Sequence, residues 1–342
     1  MSWSNESSYS QPIYMQQEDA IKEEELKTFV STLPHKKTHF GPSIYQYQGF
    51  WYPLSILSGV MNFQRNFHSQ SSDIFTITFP KSGTTWLKSL LFTLSNRRQF
   101  PVNDANHPIL TANPHQLVPT LEIALYIKDQ NPNLDHLLSS PRLLGSHLPW
   151  TVLPEPIKNS STNKIVYLCR NPKDVFVSLW HYENQLVGPN KMGLDSFKKS
   201  FESFCEGLNL SGPFWDHILD YWKESKKNPG KIFFLKYEDM KEQPGLHLRR
   251  LAEFLDCPFS SDEEESGLVE DIVKLCSFEN LSNLEVNKNG KVSQTGMHNS
   301  AFFRKGKTGD WKSHLSEEMI LKLDGICNDK LGGFGIGLGL GY

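Results

Sequence analysis

Four short apolar runs, each bounded by polar or turn-forming residues, dominate the pattern of hydrophobic and polar positions along the chain. Each run is nearly continuous rather than alternating, which is typical of a strand buried on both faces of a parallel sheet. Stretches with the apolar spacing of a helix fill the intervals between them. The predicted strands are DIFTITF (Asp73–Phe79), PRLLGSHL (Pro141–Leu148), KIVYLC (Lys164–Cys169) and KIFFLK (Lys231–Lys236).

The helical stretches predict how this sheet is covered. After the first run, TTWLKSLLFTLSNRR places Trp86, Leu90 and Leu94 on one stripe of a helix. Strands that alternate with helices indicate an α/β fold, in which a central parallel sheet is flanked by helices on both faces. Two connections, Phe100–Ser140 and Asn287–Phe303, are long enough to predict binding loops or lids.

The two ends of the chain differ from this middle part. The first residues are polar and predict a mobile segment, which includes an amphipathic helix near Asp19–Leu33. The last residues alternate glycine with apolar residues and predict a frayed end. We therefore predict a polar N-terminal segment over residues 1–36, one domain over residues 37–331 and a glycine-rich tail over residues 332–342.

Composition restricts the function classes. The 342 residues carry a formal net charge of −3, so the whole chain has no electrostatic attraction to nucleic acid or to an anionic membrane. An anion site would have to be a local cluster of cations. The five widely spaced cysteines lack metal-ligand spacing, the acidic opening stretch disfavours a secretory leader, and no apolar run approaches the roughly 18 residues that span a bilayer. These features predict a cytoplasmic protein with a small anionic ligand.

The strongest local motif is TFPKSGTTWLKSL (Thr78–Leu90), which follows the first predicted strand and opens a helix. Backbone amides over residues 82–86 would face outward at the helix N-terminus, where the helix dipole favours a phosphate. Lys81 and the neighbouring hydroxyls add charge and donors. In the Walker A motif the lysine follows the last glycine, whereas here Lys81 precedes Gly83. The motif therefore predicts a phosphate loop of another order.

Two further segments supply cations. In CRNPKDVFVSLW, Arg170 directly follows a predicted strand, at the sheet edge where open α/β folds bind ligands, and Ser178 lies about two turns into the following helix. In FFRKGK, the cations Arg304 and Lys305 are followed by Gly306, which allows side chains and backbone to wrap one phosphate. A nucleotide with phosphates at both ends of its ribose would need such a second cluster.

His147, in LLGSHLPW, is the candidate base. Histidine has a pKa near 6.5 when unperturbed and can take a proton from an attacking hydroxyl at neutral pH. The chain has 12 histidines, but His147 is predicted at the strand edge from which Lys81 and Arg170 also emerge. That position distinguishes it from the others.

Taken together, PKSGTTW, SHLP, RNPKDVFVSLWH, KYEDM and FRKG, in this order, resemble the cytosolic sulfotransferases that use 3′-phosphoadenosine 5′-phosphosulfate (PAPS). The resemblance covers roughly residues 40–330, and NPHQLVP and LCSFENLSNLEVNK resemble its plant branch, which acts on flavonols, steroids and desulfoglucosinolates. It implies a P-loop NTPase-like sulfotransferase fold, PAPS as co-substrate without a metal, and His147 and Lys81 as catalytic residues. The nucleotide-binding residues that it implies are Lys81, Ser82, Gly83, Thr84, Thr85, Trp86, Arg170, Ser178, Tyr237, Arg304, Lys305 and Gly306.

The resemblance also implies in-line transfer of a sulfuryl group to a small hydroxylated acceptor. A flavonoid or another phenolic is the favoured acceptor, and steroids, hydroxyjasmonates and desulfoglucosinolates stay open. A dimer motif found in many animal relatives is not reproduced in KTGDWKSHLSEEM, so a monomer is favoured and a homodimer stays possible.

Two rival functions explain part of the pattern. A P-loop kinase or NTPase would account for the sheet and the lysine loop, and Glu238 and Asp239 would be its acidic residues, but the order of the loop differs. A non-catalytic nucleotide-binding protein would keep the fold without turnover. The presence of both Lys81 and His147 argues against this second rival.

Overall fold

A computed structural model describes residues 24–38, 43–135, 137, 141–187, 195–293 and 295–338. Most of the predicted N-terminal segment, residues 1–36, and much of the helix predicted near Asp19–Leu33 lie outside the described residues. Within them, a helix covers Glu24–Ser31.

Seven strands form two sheets in the described part of the chain. Three short strands make an antiparallel sheet in the order β1-β2-β3, which the sequence analysis did not predict. The four predicted strands make a parallel sheet in the order β5-β4-β6-β7 and begin or end within two residues of the predicted bounds. The strands are β1 (His35–Lys37), β2 (Ser43–Tyr47), β3 (Phe50–Pro53), β4 (Ile74–Thr78), β5 (Leu143–Ser146), β6 (Lys164–Cys169) and β7 (Ile232–Lys236).

The α-helices of the described residues surround the parallel sheet, so the predicted α/β fold is confirmed. They are α1 (Glu24–Ser31), α2 (Leu54–Asn66), α3 (Thr84–Ser95), α4 (Pro108–Thr111), α5 (Pro114–Leu117), α6 (Glu155–Asn159), α7 (Pro172–Val187), α8 (Ser196–Cys205), α9 (Phe214–Lys227), α10 (Tyr237–Glu242), α11 (Pro244–Phe254), α12 (Ser261–Glu265), α13 (Leu268–Leu275), α14 (Phe278–Asn283), α15 (Glu285–Asn289) and α16 (Glu317–Leu331).

Each face of the parallel sheet packs into its own core. On β6, Ile165 and Tyr167 point into a cluster that includes side chains of α2, α7, α8, α9 and α16. Val166 and Leu168 point to the other face, where α3, α11 and α13 pack. Because side chains alternate along a strand, a run buried on both faces must be apolar throughout, as the sequence pattern indicates. The helices that follow β4 and β6 therefore lie on opposite faces, which opens a crevice at the carboxyl ends of these strands.

The first long connection, Phe100–Ser140, includes regular secondary structure. It contains α4, α5 and a π-helix over Leu121–Leu125. Asn113 caps α5 with a capping box, and its side-chain amide donates to Asn287 Oδ1 at 2.8 Å. That bond joins the first long connection to the second, so the two connections cover the crevice together.

The tail corrects a prediction. Residues Gly332–Phe334 form a 3-10 turn, and the side chains of Ile336 and Leu338 are 1% and 3% exposed in the main core cluster. The Leu338 carbonyl also accepts a hydrogen bond from Asn171 Nδ2 at 3.2 Å. The prediction of a frayed end was therefore wrong for residues up to Leu338, because alternate apolar side chains of the tail are buried against the helices. Residues 339–342 lie outside the described part.

Candidate active site

The loop between β4 and α3 has a backbone shape that depends on glycine. Gly83 caps α3 with φ of 111°, and an added Cβ would lie 2.7 Å from the ring of Tyr237. Lys81 also has a positive φ, 68°. Ser82 is fully buried, and its Oγ has no hydrogen-bond partner among the described residues. The loop therefore brings the N-terminus of α3 to the crevice, where it suits an anion, and the Ser82 hydroxyl lies buried beneath it.

Lys81 extends into a cluster of positive charge. Its ammonium lies 4.0 Å from the ring centroid of Tyr182. Burial, and then the nearby charges of Arg304 and Arg170, lower the pKa of Lys81 to about 7. A bound anion would compensate these charges and raise the pKa again, because an opposite charge favours the ammonium form. The cavity therefore concentrates positive charge around Lys81, which suits a negatively charged ligand.

His147 follows β5 and is held in one tautomer. Its Nδ1 lies 2.7 Å from the backbone carbonyl oxygen of Thr78, so Nδ1 carries the proton and donates it. Burial lowers the pKa of the His147 ring to about 3, although the hydrogen bond to Thr78 opposes this shift. The ring is therefore neutral at pH 7, and Nε2 carries the lone pair that a general base needs.

Three side chains that sequence reasoning missed hold His147. The backbone N–H of His147 donates to Glu122 Oε1 at 2.7 Å, and its carbonyl accepts from His217 Nε2 at 3.0 Å. The other nitrogen of His217 lies 2.9 Å from the hydroxyl of Tyr167, which donates to it. No local motif marks Glu122 or His217, since they reach His147 only through the π-helix and α9.

Arg170, predicted at the end of β6, contacts the C-terminal cation segment. Its Nη2 donates to the carbonyl oxygen of Lys307 at 2.7 Å, and its guanidinium lies 4.4 Å from the ring centroid of Tyr237. Asp174, one turn further along α7, accepts from the backbone N–H of Gly309 at 2.8 Å. These bonds hold the loop after residue 303 against the start of α7.

The cations of that loop share one carboxylate. Arg304 Nη1 and Lys305 Nζ donate to the two oxygens of Asp310 at 2.5 and 2.6 Å. The pKa of the Asp310 carboxyl is consequently well below its usual range, although burial acts in the opposite direction. Gly306 has φ of 60°, and an added Cβ would lie 2.4 Å from the ring of Phe278. The two cations are thus oriented on a loop that only glycine allows to close.

One cavity joins these groups. Its wall includes His147, Ser178, Tyr237 and both cation segments. All of the phosphate-loop residues except Ser82 line it as well. Ser82 was predicted at the same site but lies fully buried beneath it. The segment Cys276–Phe278 and Trp86 also line the cavity, and the Trp86 ring packs edge-to-face on Tyr237 at 5.5 Å. The predicted residues therefore meet at one place although the chain separates them by more than 200 positions.

A second part of the cavity wall is mostly apolar. Tyr182 contacts Met297, with its hydroxyl 3.1 Å from the sulfur, and its ring lies 6.4 Å from that of Phe302. Ile123 and Ala124, which follow Glu122 on the π-helix, line the same cavity. This wall provides an apolar surface next to His147.

In the described ranges, no cluster of three or more His, Cys, Asp or Glu side chains has a geometry suited to a metal ion. None of the helices α1–α16 is both long and apolar enough to cross a membrane.

The parallel sheet and the loop between β4 and α3 place this chain in the class of α/β transferases with a P-loop-like fold. The sulfotransferase domain family matches residues 71–335. Cytosolic sulfotransferase 6 of Arabidopsis thaliana is 49% identical over 313 residues, which cover 92% of this chain and 94% of the relative. Cytosolic sulfotransferase 12 of the same plant is 47% identical and covers 96% of this chain and 98% of its own length. The chain therefore belongs to the sulfotransferase family.

Solved structures agree with this assignment. An Arabidopsis thaliana protein described as a candidate steroid sulphotransferase superimposes with a TM-score of 0.74 at 41% identity, covering 96% of this chain and 99% of its own. A mouse sulfotransferase complexed with PAP has a TM-score of 0.65 at 24% identity, over 87% of this chain and 98% of its own, which supports the fold alone. The predicted resemblance to plant cytosolic sulfotransferases is thus confirmed.

Proposed function

We propose that this sulfotransferase uses PAPS as its donor and sulfates a hydroxyl of a small acceptor, a flavonoid or another phenolic. The observation that carries the proposal is the cavity itself. It joins the neutral base His147 and the Lys81 loop to a separate cation cluster, which is what a donor with phosphate at both ends of a ribose requires.

In this proposal the donor lies along the carboxyl ends of β4 and β6. The loop amides at the start of α3 and the Lys81 ammonium bind the 5′-phosphosulfate. The rings of Trp86 and Tyr237, in edge-to-face contact, border the adenine. The 3′-phosphate is bound by Arg170, Ser178, Arg304, Lys305 and Gly306.

The proposed chemistry is one displacement at sulfur. His147 Nε2 removes the proton of the acceptor hydroxyl while that oxygen forms a bond to sulfur. The bond between sulfur and the bridging oxygen of the 5′-phosphate breaks, and its electron pair leaves with adenosine 3′,5′-bisphosphate. The fixed Nδ1–H bond to Thr78 orients the ring for this transfer.

Lys81 stabilises the charge that develops in this step. Its ammonium and the loop amides face the sulfuryl oxygens and the bridging oxygen, where negative charge increases in the transition state. A sulfuryl group carries less charge than a phosphoryl group, so we expect positioning and these donors to suffice without an obligatory metal.

The phenolic acceptor is proposed from the apolar part of the wall. The rings of Tyr182 and Phe302, with Met297 between them in the same wall, offer a surface on which a flat aromatic acceptor can pack. Hydroxyjasmonate carries a carboxylate and would need a cation of its own there. Steroids and desulfoglucosinolates are the alternative outcomes of the assay below.

The kinase or NTPase alternative is disfavoured by the place of Glu238, one of its two candidate acidic residues. The carboxylate of Glu238 accepts a hydrogen bond from the backbone N–H of Asn171 at 3.0 Å, and so links α10 to the turn between β6 and α7. A structural carboxylate of this kind is a poor Mg²⁺ ligand for the phosphate loop. ATP-dependent labelling in the presence of Mg²⁺ tests this alternative directly.

The test is transfer of labelled sulfate from PAPS to a panel of flavonols, steroids, hydroxyjasmonates and desulfoglucosinolates. We expect His147→Ala to lower kcat by a factor of about 10²–10⁴, the usual contribution of a general base, while the bisphosphate product still binds. Lys81→Ala should lower transfer and bisphosphate affinity together. His68→Ala, which changes an exposed histidine, is the control and should keep full activity.

Each outcome decides between the candidates. Transfer by the wild type that is lost in both site variants supports the proposal and names the acceptor class. An unaffected His147→Ala variant refutes His147 as the base. Bisphosphate binding without transfer to any acceptor would favour the non-catalytic alternative.

We also propose that this activity belongs to one domain over residues 37–331, with the tail to Leu338 packed on it, in a cytosolic monomer. The curated relatives are named cytosolic, which supports the location. Sedimentation at micromolar concentration distinguishes a monomer from a homodimer, and limited proteolysis tests the domain bounds.

A further inference from the structure

Lys88 is a buried lysine that the proposed chemistry does not use. It lies one turn into α3 from the phosphate loop, and its side chain is 0% exposed. Its ammonium donates to Thr120 Oγ1 at 2.8 Å and lies 3.3 Å from His115 Nδ1. A Cβ added at Gly145 on β5 would come within 2.8 Å of the Lys88 nitrogen, so this strand leaves room for it. A fully buried lysine is costly unless it is paired, so its contacts indicate what it does.

His115 connects Lys88 to the phosphate loop. Its other nitrogen, Nε2, lies 2.9 Å from Thr85 Oγ1, and its ring stacks on Phe302 at 4.1 Å. Both Thr85 and His115 line the cavity, whereas Lys88 lies behind them. Lys88, His115 and Thr85 thus form a line of hydrogen-bonding side chains from the buried side of α3 to the proposed phosphosulfate site.

The donor and acceptor properties of Lys88, His115 and Thr85 set the direction of the hydrogen bonds along this line. An ammonium can only donate, so Nδ1 of His115 must accept, and the ring proton is on Nε2. Nε2–H then donates to Thr85 Oγ1. Because a hydroxyl carries a single proton, Thr85 is left free to donate that proton into the cavity.

Electrostatics support this direction. Burial, together with the charge of Lys88, keeps the pKa of His115 well below its usual range, so the imidazole is neutral. Burial lowers the pKa of Lys88 to about 7, with Glu122 opposing the shift. A phosphosulfate bound beside Thr85 would favour the ammonium form of Lys88, because an opposite charge raises a lysine pKa. The donating arrangement is therefore strongest when the donor substrate is bound.

We propose that Lys88 and His115 are positioning residues, which act through Thr85 by fixing its hydroxyl as a hydrogen-bond donor to the phosphosulfate. The inference rests on the proposed PAPS site and goes beyond it. It gives a role to His115 of the NPHQLVP segment and to the lysine of TTWLK, neither of which the proposed displacement employs.

The test is a double-variant cycle on Lys88 and Thr85. The affinity for adenosine 3′,5′-bisphosphate is measured by calorimetry, and kcat and KM for PAPS and for the acceptor are measured for Lys88→Met, Thr85→Val and the double variant. A hydrogen bond to a charged group is worth about 1.5–3 kcal/mol, so each single change should reduce kcat/KM for PAPS about 10- to 100-fold. The acceptor KM should stay within about twofold, since Lys88 lies behind the wall.

The double variant decides the question. We expect it to be no worse than Thr85→Val alone, because Lys88 has nothing to orient once that hydroxyl is gone. Ser95→Ala is the matched control: it removes a buried hydroxyl near the end of α3 that has no hydrogen-bond partner among the described residues, and should leave these values unchanged. If the two single effects multiply instead, Lys88 acts independently of Thr85 and the inference is refuted.

A second cycle is available where Lys88→Met does not fold. His115→Phe removes both ring nitrogens but keeps an aromatic ring on Phe302, and its effect should likewise disappear in the Thr85→Val background. A loss that changes only the acceptor KM would overturn the inference. Failure of the wild type to bind the bisphosphate would instead refute the proposed function, so the two failures can be told apart.

Discussion

Two glycines that cap helices in the left-handed conformation provide a sharp test of how the phosphate loop is built. Gly83 caps α3 with φ of 111°, and Gly267 caps α13 with φ of 75°. A Cβ at Gly83 would lie 2.7 Å from Tyr237 and 3.0 Å from Leu168, whereas a Cβ at Gly267 meets nothing within 4 Å. The pair therefore separates backbone strain from steric overlap.

Alanine at either position costs about 1–2 kcal/mol, because an L-residue is strained in the left-handed region. Gly83→Ala adds an overlap with two buried side chains, and overpacking of this kind costs about 1–3 kcal/mol more. Urea unfolding followed by circular dichroism should give a loss of about 2–5 kcal/mol for Gly83→Ala and about 1–2 kcal/mol for Gly267→Ala. Relief of the overlap must also move the loop, so bisphosphate affinity should fall at least about tenfold in Gly83→Ala only.

Equal stability of the two variants, or bisphosphate binding by Gly83→Ala as tight as that of the wild type, would contradict this prediction. Equal stability would mean that the Tyr237 ring moves aside at no cost. Unchanged affinity would mean that the loop amides do not need this backbone shape to bind the anion.

Three further predictions concern stability. Burial lowers the pKa of His217 to about 4, so below pH 6.5 the unfolded chain binds a proton that the folded protein does not bind. The stability that this group contributes therefore falls as pH drops from 6.5 to 4.5. Over that range, the free energy of unfolding of His217→Gln should fall by about 2 kcal/mol less than that of the wild type in urea titrations. Ile336→Ala should lower the free energy of unfolding by about 2–4 kcal/mol, because the Ile336 side chain is 1% exposed. Leu321→Ala, at a 66% exposed position, should lower it by under about 0.5 kcal/mol. Similar values for the two variants would show that the tail is not packed. Arg142 donates to both oxygens of the fully buried Asp73 at 2.8 Å, so Arg142→Met should lower the free energy of unfolding by about 3–5 kcal/mol. Lys227→Met, in an exposed ion pair, should lower it by less than about 1 kcal/mol. Thermal unfolding that ranks the two variants the other way would contradict this prediction.

The parallel sheet and the phosphate loop could be predicted from the sequence because their determinants are local. A strand buried on both faces must be apolar throughout, and KIVYLC is, so its bounds were predicted as Lys164–Cys169 and observed there. The loop is likewise encoded within a few residues, since Gly83 and the start of α3 are adjacent in the chain. The two cation segments and His147 required the resemblance to the family as well, because single cations and histidines are common on surfaces.

Other features depend on contacts between distant segments, which no local pattern records. Asp310 holds Arg304 and Lys305 in place, yet a lone aspartate after a basic loop carries no signal of that task. The short strands β1–β3 pair with each other, and Phe50 and Tyr52 of β3 pack in the main core, whereas His35–Lys37 are exposed and give no pattern of a buried strand. The tail was predicted to fray because glycine alternation is poor evidence of structure by itself.

Local residue patterns specify which groups are available: an apolar sheet, a lysine loop at a helix N-terminus, a strand-end histidine and separate basic segments. Contacts between distant segments specify how these groups work together. Glu122 reaches the backbone of His147, and Lys88 meets His115, because the connection before β5 folds back over the sheet. Burial in that assembled interior then lowers the pKa of Lys81, Lys88 and His147 together. Desolvation belongs to the packed structure rather than to any segment of the chain, so the chemistry of these groups could not be predicted from residue type alone.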